Sequence, residues 1–302
     1  MFDKTILMSK VLDILHNNGF ETFVTNGSFD IVAKRENLFL IKVLMNIDSL
    51  DESHALDLRA ISHFLSAYPF VISIRNNREH LDDEIVYTRF DLPATTPKLF
   101  QLMLQDDNIE VIHSSKGRHT QEVNVFNLKE TRKQIGYTLE QLANRVGISK
   151  KAMYEIESKR VNPQQGTVRK LESVLKIELR MPYELKHAEP VHLKPKDNFG
   201  KSVSDELNRL GIDNSSVNSA PFELIGRENF SLITNLSNTP SDIKHEIIEM
   251  KKLSEISESK AVLISKRTIK ESIEGIPIIS ENELSEIKHS KELGKIIDER
   301  IG

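Results

Sequence analysis

The chain has 302 residues, of which 28% are charged, 38% apolar and 6% aromatic, with a net charge of −4, a composition that excludes disordered and collagen-like classes and leaves room for two or three domains. Its greasiest stretch, Leu38 to Ile47, carries Lys42 in the middle, so no membrane span or membrane partner is expected, and MFDKTILMSK lacks the basic-then-apolar order of a secretion signal. Cysteine is absent, which excludes disulfides, thiolate catalysis, Cys-ligated zinc and iron–sulfur clusters and fits a reducing cytoplasm.

From the N-terminus, hydrophobic periodicity predicts a helix over Met8 to Asn17, strands Phe29 to Ala33 and Leu38 to Leu44, a helix Ser53 to Ser66, and strands Phe70 to Ile74 and Ile85 to Phe90. A polar run, His113 to Gln121, reads as a linker. Four short helices follow, with their starts and stops written out. Asn127, with Glu130 three residues on, can cap the first, which carries Leu128 and Ile135 and ends at Gly136. Thr138 begins the second with Gln141 as capping partner, and Leu142, Ala143 and Val146 share a face before Gly147. Ser149 caps the third, with Met153 and Ile156 inward, and Asn162-Pro163 precedes a fourth bearing Val168, Leu171 and Leu175. Residues 181–200, with Pro182, Pro190 and Pro195, read as a second linker. A second mixed set comes last: helix Ser202 to Leu210, strands Phe222 to Ile225 and Phe230 to Leu236, helix Asp242 to Glu258, and strands Ala261 to Ser265 and Ile276 to Ile279.

Charge divides the chain the same way. The net is −6 for residues 1–126, +5 for 127–178 and −3 for 179–302, so the helical middle is the basic part of an acidic protein. The spacing from Thr138 to Arg160 is that of a helix-turn-helix. In L-K-E-T-R, G-Y-T-L-E-Q-L-A-N-R-V-G-I-S, I-E-S-K-R-V-N-P and L-E-S-V-L-K-I, the segment Leu128 to Ile177 resembles the Cro/C1-type, or XRE, family of DNA-binding domains. That resemblance puts the start of the third helix in the major groove, with Lys150, Lys151, Tyr154 and Glu155 near base edges. The two helix-capping residues, Thr138 and Ser149, are candidate contacts beside them. Arg132, Lys133, Arg145, Lys159 and Arg160 are better placed for phosphates. The family often has Gln at the first position of the second helix, where this chain has Leu139.

Sliding the chain over itself by 192 places Val11, Asp13, Leu15 and Gly19 on Val203, Asp205, Leu207 and Gly211, and Arg35-Glu36-Asn37 on Arg227-Glu228-Asn229. The flanking units therefore read as a duplication. Their order of elements resembles the restriction-endonuclease-like fold. Active members of that fold bind a divalent metal through one acid on the first hairpin strand and a D/E-x-K on the next. Asp30 and Lys42 fall at the first and last of these places, but Leu40 stands where the second acid belongs, and in the second copy Glu223, Leu232 and Thr234 correspond. A leucine cannot ligate magnesium, so both copies are expected to be folds kept for shape, with Leu40 and Leu232 in the core. The linker histidines, His113, His119, His187 and His192, lack companions at ligand spacing and read as solvated.

The expected architecture is thus α/β and all-α multidomain: a restriction-endonuclease-like α/β domain over 1–118, a Cro/C1-type helix-turn-helix bundle over 122–180, a linker over 181–200 and a second α/β domain over 201–302. Taken as a whole, the chain resembles archaeal helix-turn-helix transcriptional regulators. The resemblance implies a cytoplasmic, sequence-specific regulator of double-stranded DNA, with no cofactor and no enzymatic activity. Because the small basic unit needs its apolar residues for its own core, a homodimer held mainly through residues 1–118, 201–302 or both is expected. A metal-dependent nuclease with a DNA-reading domain and a non-catalytic interaction scaffold are the other classes.

Overall fold

The computed structural model describes residues 3–115, 117–237, 244–266 and 270–301. Helix α1 (Lys4–Asn17) starts where the Asp3 carboxylate accepts the Ile6 amide at 3.1 Å, four residues before the expected Met8, and buries Leu7, Val11 and Leu15. Strands β1 (Glu21–Val24), β2 (Ile31–Lys34) and β3 (Leu38–Val43) run antiparallel, and α2 (Glu52–Phe64) crosses over to β4 (Tyr68–Ile72), parallel to β3. Every residue of β3 is buried, Lys42 included, as a central strand covered on both faces requires.

Next come β5 (Ile85–Arg89), β6 (Leu92–Thr95), α3 (Pro97–Gln105), β7 (Ile112–Ser115) and β8 (Arg118–Thr120), in the spatial order β6-β5-β7-β8. The run from His113 to Gln121, expected to be a linker, is therefore a hairpin, with Ser114 opposite His119 and Ser115 opposite Arg118. Its polar sequence has no apolar alternation to announce it. Helices α4 (Val125–Gln134), α5 (Leu139–Val146), α6 (Lys150–Glu157) and α7 (Gln165–Leu175) follow as expected. One cap differs: Asn124, not Asn127, starts α4 by accepting the Asn127 amide.

The second mixed set comprises α8 (Asn198–Arg209), β9 (Asp213–Ser216), β10 (Leu224–Arg227), β11 (Ser231–Ser237), α9 (Lys244–Ser257), β12 (Lys260–Ser265), β13 (Ser272–Ile273), β14 (Ile276–Ser280), α10 (Glu281–Glu286) and α11 (Ser290–Arg300). Its sheet has the order β13-β14-β12-β11-β10-β9. Asp242 and Ile243, the expected start of α9, lie outside the described residues. Strand β9 reads Asp-Asn-Ser-Ser, residues depleted in strands. It is held by pairing with β10 and by Asn214, whose amide donates to Ser204 O, Asn208 Oδ1 and Ile212 O at 3.0–3.2 Å.

The chain divides into two compact units, one of residues 1–73, 90–92 and 186–302, the other of 74–89 and 93–185. The first holds both α/β copies, and they are paired. Helix α2 packs on β10, and α9 packs on β1 and β2. Asp57 of α2 accepts the Asn218 and Ser219 amides, while Glu249, 192 residues on from Asp57, accepts the Thr25 hydroxyl at 2.9 Å. At the other ends of the helices, Arg227 donates to Ser66, and Lys34 pairs with Glu258 at 3.8 Å. Each contact thus recurs with its partners exchanged, the signature of an isologous two-fold interface, here closed within one chain. Gly27 sits at this interface with φ 124°, and a Cβ there would strike the Ser219 carbonyl.

Strand register refines the equivalence of the copies. Val32 opposes Leu40, and Ile225 opposes Ile233, so the hairpins match at an offset of 193, not the 192 that aligns Arg35-Glu36-Asn37. Lys42 therefore corresponds to Asn235 and Leu40 to Ile233, in place of the expected Thr234 and Leu232. The side chains agree: Lys42 Nζ donates to the Gly27 carbonyl at 2.5 Å, and Asn235 Nδ2 to the Pro221 carbonyl at 3.0 Å.

Candidate nucleic-acid interface

The helix-turn-helix is built from its caps inward. The Thr138 hydroxyl accepts the Gln141 amide at 3.1 Å while the Gln141 side chain accepts the Thr138 amide at 2.9 Å, a complete capping box. Gly147 ends α5 at φ 82°, a left-handed turn that a side chain would resist. The Ser149 hydroxyl then accepts the Ala152 amide and starts α6. Ala143, fully buried, lets the two helices approach closely, and Leu142, Met153, Ile156, Val168 and Leu171 close the core.

Of the expected contacts, Lys150, Lys151 and Tyr154 project from the N-terminal half of α6 into solvent. Lys150 lies 3.3 Å from Glu140, but both side chains are more than 60% exposed, so water and salt weaken the pair and the ammonium is free to turn elsewhere. Glu155 is engaged with Arg160 at 3.5 Å, and the Arg160 guanidinium also stands over the Tyr154 ring. Lys133 pairs with Glu130, and Arg145 lies 4.7 Å from the centre of the Tyr137 ring. Lys159 is exposed at a left-handed φ of 56° where the chain leaves α6.

Arg132 is a correction. Its side chain is only 12% exposed, gives Nε and Nη2 to Glu157 at 2.6 and 3.0 Å and Nη1 to the Tyr137 carbonyl at 2.8 Å. The hydrogen bonds it donates to Glu157 hold the guanidinium's pKa above its ordinary value. All this donor capacity is spent inside the bundle, tying α4 to the end of α6, so Arg132 is a structural staple and not a phosphate contact.

In the first α/β copy the nuclease-like position is occupied from within. Asp30 accepts Lys4 Nζ at 2.9 Å, Lys42 Nζ at 3.4 Å and the Val43 amide at 2.7 Å, and Leu40 beside it is fully buried. Burial pulls the Lys42 ammonium below its ordinary pKa, against the pull of Asp30. A carboxylate facing two ammonium groups with a leucine neighbour does not fit a divalent metal, which requires several hard oxygen donors. In the second copy Glu223 is raised by burial, then by Asp197, and Ile233 and Asn235 complete the set. Among the described residues no three His, Cys, Asp or Glu side chains gather as metal ligands.

Comparison with known proteins matches both parts. A PD-(D/E)XK superfamily domain profile covers residues 4–109, and a helix-turn-helix profile covers 128–181. Among curated proteins, one from Pyrococcus abyssi is 30% identical over 95% of this chain and 94% of its own length, and carries the name "Putative HTH-type transcriptional regulatory protein". Proteins of the same description from Methanothermobacter thermautotrophicus and Methanocaldococcus jannaschii are 29% and 28% identical, over 99% and 97% of this chain and 98% and 96% of theirs. This chain belongs to that family. No solved structure matches it.

Within the family's framework, two features escaped sequence reasoning. The histidines of the second linker are exposed, as expected, but not isolated: His187 stacks on Tyr68 with ring centres 4.2 Å apart, and His192 bonds Asp213 at 3.0 Å. The helix-turn-helix also exposes more apolar surface than its small core suggested, with Phe126 72% and Ile135 45% exposed. No helix among the described residues is long and apolar enough to cross a membrane.

Proposed function

We propose that this chain is a sequence-specific transcriptional regulator that reads duplex DNA in the major groove with the N-terminal half of α6. The observation that carries this reading is the pair Lys150 and Lys151, exposed side by side at the start of the second helix of a fully capped helix-turn-helix. Lysines there can donate to guanine O6 and N7. Thr138 and Ser149 act first as caps, and their backbone neighbours are the nearest groups to a phosphate. The phosphate contacts that remain are Lys133, Arg145, Lys159 and Arg160. The α/β pair serves as a non-catalytic platform, because the Asp30 carboxylate is neutralised by two lysines. The protein works in the cytoplasm.

A homodimer is the arrangement best suited to useful specificity, since one helix-turn-helix reads only a few base pairs and two readers spaced one DNA turn apart read a pseudo-palindrome. The α2 and α9 faces are already consumed within the chain, so the second copy would meet surfaces outside them.

One experiment tests these points together. Sequences selected from random duplex DNA at a fixed salt concentration are expected to share a two-fold site bound by two chains in sedimentation, and to be recovered uncut after incubation with magnesium or manganese. Lys150→Ala with Lys151→Ala should change the preferred sequence, at about 1–3 kcal/mol of discrimination per side chain. Unchanged preference and affinity in the double variant would remove α6 as the reader. Cleavage that disappears with Asp30→Ala would make the chain an enzyme.

A further inference from the structure

We propose that the β7–β8 hairpin is a second DNA-binding element, a wing that grips the phosphate backbone of duplex DNA through Arg118 and His119. The proposal rests on the reading of α6 as a DNA reader and extends it to a segment outside the helix-turn-helix.

While β7 buries Ile112 and Ser114, the outer strand of the hairpin has little to do for the core. Strand β8 is three residues long, reads Arg-His-Thr, and buries none of its side chains. An edge strand of this kind adds almost no hydrophobic stabilisation. Its backbone is nevertheless anchored, and at one place. Thr120 bridges Gln164, and the Gln121 amide donates to the Pro163 carbonyl at 3.0 Å. Three residues on, Asn124 N donates to the Leu179 carbonyl at 2.7 Å. The first two of these bonds tie β8 to the loop by which the chain leaves α6, the loop that also carries Lys159 and Arg160.

Between the hairpin and the start of α7 lies an open groove of about 410 Å³, lined by Gly117, Arg118, His119, Gln164, Gln165 and Gly166. No acidic side chain lines it. The absence matters because other cations of this unit are matched to carboxylates, Lys133 to Glu130, Lys150 to Glu140, Arg160 to Glu155 and Arg180 to Glu110 and Glu172. Among the described residues Arg118 and His119 have no such partner. The surroundings are also free of bulk: a Cβ at Gly117 or Gly166 would meet nothing within 4 Å. An exposed groove with an unmatched guanidinium, an imidazole and two side-chain amides, and with no carboxylate, offers donors to the acceptor oxygens of a phosphodiester backbone and no group that repels it. Arg118 supplies permanent charge, and His119 adds to it when protonated.

The test uses the full chain and a DNA duplex selected by the wild-type protein, with affinity measured by fluorescence anisotropy across a salt series. Arg118→Ala with His119→Ala should weaken binding to selected and unrelated duplexes by the same factor and flatten the salt dependence by about one phosphate's worth. In such a case the loss is about threefold larger at 50 mM than at 200 mM salt, which follows from a slope of about 0.9 per phosphate. Arg118→Glu should weaken binding further, and none of these variants should alter the preferred sequence or the thermal melting of the protein. Unchanged affinity and salt slope in both Arg118 variants, in a protein whose Lys150 and Lys151 variants do change preference, would overturn the wing and leave the reader standing. A weakened affinity with an unaltered salt slope would also overturn it, since the hairpin would then act through the fold. Failure of the wild-type protein to bind any duplex would overturn both readings at once.

Discussion

Glu157→Ala is expected to destabilise the helix-turn-helix unit by about 3–5 kcal/mol, because it strands a guanidinium in the interior. Glu157 is 3% exposed and takes two hydrogen bonds from Arg132, whose only other partner among the described residues is the Tyr137 carbonyl. With whole domains stable by about 5–15 kcal/mol, such a loss removes much of the margin, and DNA binding should fall with it. The loss comes from an unmatched charge, not from the pair being a strong source of stability. The double replacement Arg132→Met with Glu157→Leu should therefore recover most of the stability, since buried ion pairs exchange for apolar groups at little cost. Urea titration followed by helical circular dichroism would separate the two. A double variant as unstable as Glu157→Ala, or a single variant as stable as the wild type, would show that the staple has another role.

Asp57→Ala should cost about 2–6 kcal/mol, at about 1–3 for each of the two backbone amides left without an acceptor. Asp57 is fully buried and accepts the Ser28 hydroxyl at 3.0 Å and the Asn218 and Ser219 amides at 3.1 and 2.9 Å, so one carboxylate serves both α/β copies. The two-fold relation supplies an internal control. Glu249 holds the equivalent place on α9, where it accepts the Thr25 hydroxyl and lies 3.8 Å from the exposed His245 ring but takes no backbone amide among the described residues, and Glu249→Ala should cost no more than about 0.5–1.5 kcal/mol. Equal effects of the two substitutions, measured by the same urea titration, would contradict this account of the interface. The asymmetry also identifies which half of the interface holds the pair together.

The helix-turn-helix was legible in the sequence because its determinants are local. A capping box, a left-handed glycine and a serine cap act over three or four residues, and apolar spacing within each helix tells which side faces inward. The duplication was legible for a similar reason, since repeated apolar spacing survives when most identities are lost. Its register was not, because the matching Arg-Glu-Asn triplets sit in the turn, where one residue's slip goes unpenalised, whereas pairing of β2 with β3 and of β10 with β11 fixes the offset inside the sheet.

By itself, the sequence determined the two kinds of domain, the start and end of α6, and the leucine at position 40 where the restriction-endonuclease-like pattern has an acid. Only the tertiary structure decided that Arg132 faces Glu157 and not solvent, that the polar run after His113 is a strand pair, and that α2 also packs on β10 of the other copy and α9 on β1 and β2. The first and last of those depend on groups 25 to 224 residues apart in the chain meeting in space, and the strand pair is backed by β5, with Ile85 opposite Ile112. No local pattern encodes that meeting, because an arginine, a serine strand or an aspartate has the same local preferences whether its partner is water or a distant backbone amide.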